Sequence, residues 1–268
     1  SRDRRRRRPA VGPRRAGRLP FEFLSFEFQL CGLELRVSQL LLGDVSRHTA
    51  RNDSDCTYRY NARIFAPEES SLSNVRARAA AGLFGFAAVQ YLVGEALTAS
   101  KYDGYSYLRQ TVSELGVSGQ SPWHDVVNTS FCLSAVSVAA AGALSASLLR
   151  GRRNRVYLGS VAAYSTGCVL IAVVPAGDGA VHVVGAVLSI AAGNVIAVTV
   201  GTGVHSCPRW YRTASTALGV AGLAVSALLV AGIGPIGAVE RAPIYTFVAW
   251  ELMTAVALLR SARSKVTG

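Results

Sequence analysis

Long apolar runs separated by short polar loops fill the sequence from about residue 79 onward. About 20 apolar residues, each rising about 1.5 Å in a helix, span the roughly 30 Å hydrocarbon core of a bilayer. Six runs are long enough, and they predict membrane-spanning helices at about 79–99, 126–149, 156–176, 181–204, 213–235 and 243–260. The pattern therefore predicts an all-α fold, a polytopic membrane bundle of six transmembrane helices.

Positively charged residues divide the polar loops into two groups. Eleven of them precede the first run, follow the sixth, or lie between the second and third or the fourth and fifth. These are Arg76, Arg78, Arg150, Arg152, Arg153, Arg155, Arg209, Arg212, Arg260, Arg263 and Lys265. The loops on the other side carry three, at Lys101, Arg109 and Arg241. Because cytoplasmic loops are the richer in Lys and Arg, both termini are predicted to be cytoplasmic.

The composition supports a membrane protein and argues against a nucleic-acid partner. Charged residues make up 16% of the 268 residues, below the roughly 25% typical of soluble domains. The net charge is +12, and residues 79–268 contribute 12 Lys and Arg against 7 Asp and Glu. In this part of the chain the positive residues lie in short loops between apolar runs, where membrane topology requires them, so no folded basic surface is implied. Two lysines against 26 arginines, with abundant Ala, Gly and Val, suggest a high-GC bacterial genome. We therefore expect a multi-pass protein of a bacterial plasma membrane.

Residues 1–78 differ from the rest and are predicted to be a separate N-terminal extension of the six-helix domain at 79–268. They begin with an arginine run that no apolar segment of a signal peptide follows. The segment 21–42 is moderately apolar, but its charged residues make a spanning helix improbable. Two interpretations remain: an amphipathic helix on the membrane surface, or a disordered extension.

The short turn at 176–180 joins the third and fourth runs into a hairpin whose tip is polar. Asp178 is well placed to cap the fourth helix, and that structural role alone would explain it. His182 follows in the first helical turn, where the positive helix end favours a neutral imidazole that can accept a proton or bind a metal. A metal would need further ligands, for which His124, Asp125, Glu114 and Glu240 are available.

The predicted threading brings polar residues of two further loops to the same membrane face. The segment 105–116 contains Arg109, Ser113 and Glu114, and is amphipathic enough for a short helix on the surface. Ser113 is a candidate nucleophile by residue type, although no G-x-S-x-G motif surrounds it and it could equally cap a turn. Glu240 and Arg241 could form an ion pair that fixes the third outer loop, or Arg241 could contact a lipid phosphate.

Three polar residues, Gln90, Asn194 and Glu251, fall near the middle of their predicted helices, and Glu95 lies nearer the outer face. A carboxylate at this depth is costly and should face the bundle interior. These residues could line a proton or substrate path, with Glu251 binding the solute, or they could clamp neighbouring helices by hydrogen bonds.

Small residues recur every four positions along the fourth predicted helix, at Gly185, Ser189, Gly193, Ala197 and Gly201. Such a stripe allows the backbone of a neighbouring helix to approach closely. We therefore predict that this helix packs tightly inside the bundle.

Several segments together resemble a known family. They are 105–116 (YSYLRQTVSELG), Asn128 with Phe131, Pro175 followed by Asp178 and His182, and 240–250 (ERAPIYTFVAW). In this order they are similar to motifs of the bacterial and archaeal membrane family called domain of unknown function 998, over about 79–262. The resemblance implies six-helix integral membrane proteins without an established activity. It singles out Ser113, Glu114, Asp178, His182, Glu240 and Arg241, although the gap between Pro175 and Asp178 is slightly longer than expected for the family.

Two classes of function fit these features. The first is a membrane protein that binds or helps to move a lipid or small solute, with a polar site at the extracytoplasmic face that includes Arg109, Glu240, Arg241 and Glu251. The second is a membrane-embedded enzyme acting on lipid headgroups through Asp178, His182, Ser113 and Glu114, with or without a metal. The expected partners are the bilayer and such a ligand, and the sequence assigns no cofactor.

Overall fold

The computed structural model describes residues 73–177 and 179–264, and this part of the chain is all-α. The helices are α1 Asn74–Ser100, α2 Val112–Leu115, α3 His124–Ser145, α4 Gly151–Val173, α5 Ala180–Gly203, α6 Arg209–Val230 and α7 Ile236–Ser264, with a 3₁₀ turn at Ala146–Leu148 after α3. All but α2 are long and apolar enough to span a membrane. The predicted polytopic bundle of six helices is confirmed, and the protein is an integral, multi-pass membrane protein.

The six long helices pack as a closed ring in which each helix lies between its neighbours in the chain. Thus α1 packs against α3, α3 against α4, α4 against α5, α5 against α6, α6 against α7, and α7 returns to α1. α7 also contacts α5 across the ring. We call the end of the bundle that carries α2 the loop end, and the end where α1 begins and α7 ends the terminal end.

All six long helices begin earlier than the sequence predicts, by one to seven residues, and the first and the last show why. α1 begins at Asn74, where the Ser73 side chain caps it by accepting a hydrogen bond from the backbone N–H of Arg76. α7 begins at Ile236, and Pro243 lies inside it. Glu240 and Arg241 therefore belong to a helix and not to the predicted outer loop. Charged residues are tolerated at this position because both side chains find partners within the protein, as described below.

The prediction of a short surface helix at 105–116 was wrong in length and in position. Only Val112–Leu115 is helical, and Val112 and Leu115 are fully buried. The Thr111 side chain caps this turn by accepting the backbone N–H of Glu114, and the Glu114 carboxylate accepts the backbone N–H of Thr111. The apolar side of the segment packs into the bundle, since residues of α1, α3 and α7 surround it.

The small-residue stripe of α5 meets three different helices. A Cβ atom added at Gly167 of α4 would lie 2.5 Å from the backbone oxygen of Gly185, so these two helices touch backbone to backbone. Gly201 meets the backbone of α6 in the same way. At Gly193 the neighbour is instead the ring of Phe247 from α7. The prediction of close backbone approach therefore holds at both ends of the stripe, and an aromatic side chain fills its middle.

Three predictions concern residues outside those that the structure describes. They are the predictions for the N-terminal extension except for its last residues, for Asp178, and for Lys265.

Candidate functional site

At the loop end, Arg241 binds the loop that follows α1. Its side chain is buried, and its Nε donates to Oε1 of Glu95 at 2.7 Å. Its Nη1 donates to the backbone oxygens of Tyr107, Gln110 and Gly237 at 2.7–2.9 Å, and its Nη2 bonds the Tyr105 hydroxyl. An arginine can satisfy several acceptors at once because its donors form a planar fork.

Glu240, the preceding residue, binds α2. Its Oε2 accepts the backbone N–H of Val112 at 2.5 Å, and its Oε1 accepts the hydroxyl of Ser113 at 2.9 Å. Consecutive residues of α7 thus hold two parts of the 101–116 segment. We call this arrangement of Glu95, Glu240 and Arg241 the loop clasp.

The clasp corrects the interpretation of Arg241. Its ion-pair partner is Glu95 of α1, not Glu240, since the two side chains of consecutive helical residues point in different directions. Its nitrogen atoms bond to protein groups and its side chain is 3% exposed, which argues against contact with a lipid phosphate. Tyr245 completes the cluster by donating to Oε2 of Glu95 at 3.0 Å. Burial raises the pKa of Tyr105 above its usual value near 10, and the nearby Arg241 charge opposes that rise.

The other predicted residues of this face are dispersed. Ser113 donates to Glu240 and does not cap its own turn, whereas Glu114 serves the capping pair with Thr111. Arg109 is exposed. The structure therefore joins Ser113 with Glu240, and it leaves Arg109 apart from them.

His182 lies in the first turn of α5 and is buried. Its Nδ1 is 2.7 Å from the backbone oxygen of Val174, so the ring ties the start of α5 to the end of α4. A carbonyl can only accept, and Nδ1 must therefore carry the proton. His182 does not line the cavity that contains Glu240. Among the described residues no group of three or more His, Cys, Asp or Glu side chains is arranged to hold a metal.

A narrow cavity of about 50 Å³ lies inside the loop half of the bundle, and we call it the loop cavity. Its lining includes Glu240 and Ser113 at one end and Glu251 at the other. Glu240 and Glu251 are eleven positions apart in α7, which corresponds to about 16 Å along the helix at 1.5 Å per residue. Glu251 is 2% exposed, and its Oε1 has no hydrogen-bond partner in the described structure.

Two of the three mid-helix polar residues act as clamps. The Gln90 side chain donates to Ser134 Oγ and to the backbone of Ser130, which joins α1 to α3. Asn194 donates to the backbone oxygen of Pro243 and accepts from Thr246, which joins α5 to α7. The clamp interpretation therefore suits Gln90 and Asn194 but not Glu251.

A much larger cavity, of about 550 Å³, lies at the terminal end, and we call it the terminal cavity. The six long helices all contribute residues to its wall, which includes Ala77, Phe84, Ser145, Leu149, Tyr157, Val200, Trp210, Tyr211, Trp250, Thr254, Ala257, Leu258 and Arg260. Trp250 and Phe84 are fully buried at its inner side, whereas Trp210 and Arg260 are exposed.

An aromatic layer lies between the two cavities. Phe247 lines the loop cavity and Trp250 lines the terminal cavity, and their rings stack with centroids 5.4 Å apart. Phe84 packs edge-on against Trp250 at 5.4 Å, and Tyr164 packs against Phe247 at 4.9 Å. The interior of the bundle thus contains two cavities that stacked rings separate.

Sequence reasoning missed the terminal cavity. Tyr157, Trp210 and Tyr211 lie near the ends of apolar runs, where aromatic residues ordinarily mark the membrane interface, so their positions in the sequence do not indicate a cavity. The sequence feature that could have indicated an interior site is Trp250, a large residue beside Glu251 in the middle of the last predicted helix. A tryptophan at that depth faces either lipid or the interior of the bundle.

The family comparison agrees with this architecture. The family model described as Protein of unknown function (DUF998) matches residues 79–257, which contain all or most of each of the six spans, the clasp and both carboxylates of the loop cavity. No match was found among curated proteins or among solved structures. Because the match covers most of the chain, the protein belongs to the DUF998 family, as the sequence motifs indicated.

Proposed function

We propose that this membrane protein binds an amphiphile with an acidic headgroup in the terminal cavity and helps to move it within the membrane. The observation that carries this proposal is the cavity itself. Its volume of about 550 Å³ lies within the roughly 300–1,000 Å³ usual for small-molecule sites. No comparable volume is needed for helix packing, because protein interiors are ordinarily close-packed.

The wall favours a ligand with an apolar body. Its buried hydroxyl groups bond to one another, Ser145 to Tyr157 at 2.8 Å and Tyr211 to Thr254 at 2.9 Å. Most of the remaining wall is aromatic or aliphatic, and its other polar residues include Asn74, Ser206 and Ser261. A ligand therefore gains by burying apolar surface there, and it has little need to supply hydrogen bonds.

The rim favours a negative headgroup. Arg260 lines the cavity and is exposed, and Arg153, Arg209 and Arg212 lie in the segments that begin or join the helices around it. A headgroup such as a carboxylate or phosphate suits arginine donors. The predicted topology puts this end in the cytoplasm, which differs from the extracytoplasmic site considered from the sequence.

The enzyme hypothesis receives less support from the geometry. The Ser113 hydroxyl donates a hydrogen bond to Glu240, whereas His182 bonds the backbone oxygen of Val174 on another part of the loop end. Ser113, Glu114 and His182, the described members of the expected catalytic set, therefore serve to hold loops and helix ends.

Trp250 provides a direct test of binding because it is 0% exposed and lines the cavity. In a variant with Trp123→Phe and Trp210→Phe, Trp250 is the remaining tryptophan. A brominated fatty acid, whose bromine atoms quench a nearby indole, should quench its fluorescence saturably in detergent. An unbrominated fatty acid should reverse the quenching by competition.

Cavity filling supplies the matched controls. Ala257→Phe, and separately Ala77→Leu, should reduce saturable quenching, because both residues line the cavity. Val256→Phe adds the same side chain on the exposed side of the same helix and should leave the quenching unchanged. Absent or unsaturable quenching would overturn the proposal, as would equal quenching in folded Ala257→Phe and Val256→Phe.

A further inference from the structure

Glu251 differs from the other buried carboxylates of the bundle. Glu95 accepts hydrogen bonds from Arg241 and Tyr245, and Glu240 accepts them from the Val112 backbone and the Ser113 hydroxyl. Glu251 is equally buried, yet its Oε1 has no hydrogen-bond partner in the part of the chain that the structure describes. A buried polar group without a protein partner requires an explanation, of which water or a bound ion is the usual one.

The loop cavity supplies room for water beside this oxygen. Its volume of about 50 Å³ exceeds the roughly 10–15 Å³ that one water needs in the same measure. Tyr91 also lines the cavity, and the residue is only 5% exposed. Its hydroxyl group, like Glu251 Oε1, has no hydrogen-bond partner in the described structure. Hydroxyl groups of Ser113, Ser134 and Ser189 border the same space, so a chain of waters would meet polar partners along it.

Only three helices contribute titratable side chains to the described lining of the loop cavity. Titratable groups are Tyr91 from α1, Tyr164 and Cys168 from α4, and Glu240 of α7 itself. α2, α3 and α5 contribute only serines and apolar residues, and α6 contributes none of the residues that line it. Lys, Arg and His are absent from the described lining. A charged Glu251 would therefore lack a counter-ion, whereas its neutral acid could donate a hydrogen bond to water.

We propose that Glu251 is a proton-exchange site inside the membrane, reached by water through the loop cavity from the end that Glu240 and Ser113 occupy. In the uptake step a hydrated proton adds to a carboxylate oxygen of Glu251 and leaves a water molecule. In the release step the acid O–H breaks, its electron pair stays on the carboxylate, and water takes the proton. This proposal does not rest on amphiphile binding, so each can fail without the other.

Infrared difference spectroscopy of the full-length protein, with no amphiphile added, tests the site. Lowering the pH from strongly alkaline to neutral should produce a carboxylic-acid C=O band that is lost in Glu251→Gln. The same band should shift when the buffer is exchanged to D₂O, since an exchangeable acid takes up deuterium. Glu95→Gln serves as the matched control, because that equally buried carboxylate is ion-paired and its replacement should leave the band in place.

Narrowing the cavity tests the route. Ala186→Leu adds bulk to the lining and should slow the D₂O shift of the band. Ala191→Leu makes the same change on the same helix away from the lining and should not slow it. The proposal is overturned if no pH-dependent band is sensitive to Glu251→Gln, or if that band does not shift in D₂O. Equal exchange rates in Ala186→Leu and Ala191→Leu would refute the route.

Discussion

Replacing Arg241 should be one of the most destabilising single changes in this protein. Arg241→Met leaves Glu95 as a buried, unpaired carboxylate, since the guanidinium nitrogen 2.7 Å away is its salt-bridge partner. Breaking a buried pair from one side costs about 3–5 kcal/mol, because the remaining charge has lost its compensation. The change also removes the donors that hold the backbone oxygens of Tyr107 and Gln110. Those oxygens lie in a loop where water can replace the donors, so we assign the main cost to Glu95.

A second change should recover part of this loss. In the double variant Glu95→Gln/Arg241→Met, the buried group that has lost its partner is a neutral amide, whose burial costs less than that of a charge. The double variant should therefore be more stable than Arg241→Met alone. Arg109→Met is the matched control, since Arg109 is an exposed arginine of the same loop and should cost within about 0.5 kcal/mol.

Unfolding of the purified variants in a titration of denaturing detergent would measure these differences, and limited proteolysis of residues 101–116 would report release of the loop. Equal stability of Arg241→Met and Arg109→Met would refute the reasoning. A double variant whose loss equals the sum of the two single losses would also refute it, because the two residues would then not be coupled.

Three further outcomes are expected. With the five cysteines replaced, a membrane-impermeant thiol reagent should label Gln120→Cys but not His205→Cys in intact cells, and the reverse pattern would contradict the charge-based topology. Gly167→Ala should cost about 1–3 kcal/mol, because its methyl group would meet the backbone of Gly185 and Ser189. Gly159→Ala, with open space around it, should instead be neutral or stabilising by up to about 1 kcal/mol. Similar unfolding midpoints for these two variants would contradict the backbone contact of α4 with α5.

The number of helices and their membrane character followed from the sequence because burial in lipid demands long apolar segments, and that demand is local. The family motifs were also readable, since they occur in order along the chain. The start of α7 could not be predicted from the sequence, because proline is common at the start of a helix and the charged pair before Pro243 is typical of a loop. Only the tertiary partners of Glu240 and Arg241 explain why the helix extends back to Ile236.

Residue pairing was the least predictable part of the site. The sequence placed Glu95 within the first helix and Arg241 in the last loop, and it offered the neighbouring Glu240 as the simpler partner. A hydropathy pattern does not show which acidic residue will pair with Arg241 when the true partner, Glu95, is 146 residues away in the chain. Cavities are equally hidden, because they depend on how side chains of several helices fail to fill the space between them.

The Arg241–Glu95 contact has a consequence for how the protein is made. Glu95 belongs to the first of the described helices to leave the ribosome and Arg241 to the last, so the carboxylate enters the membrane long before its partner. Until α7 is inserted, the ring of helices is open, the 101–116 segment lacks its clasp, and Glu95 has no ion-pair partner. The insertion of the last helix thus closes the bundle and compensates the buried charge in a single event.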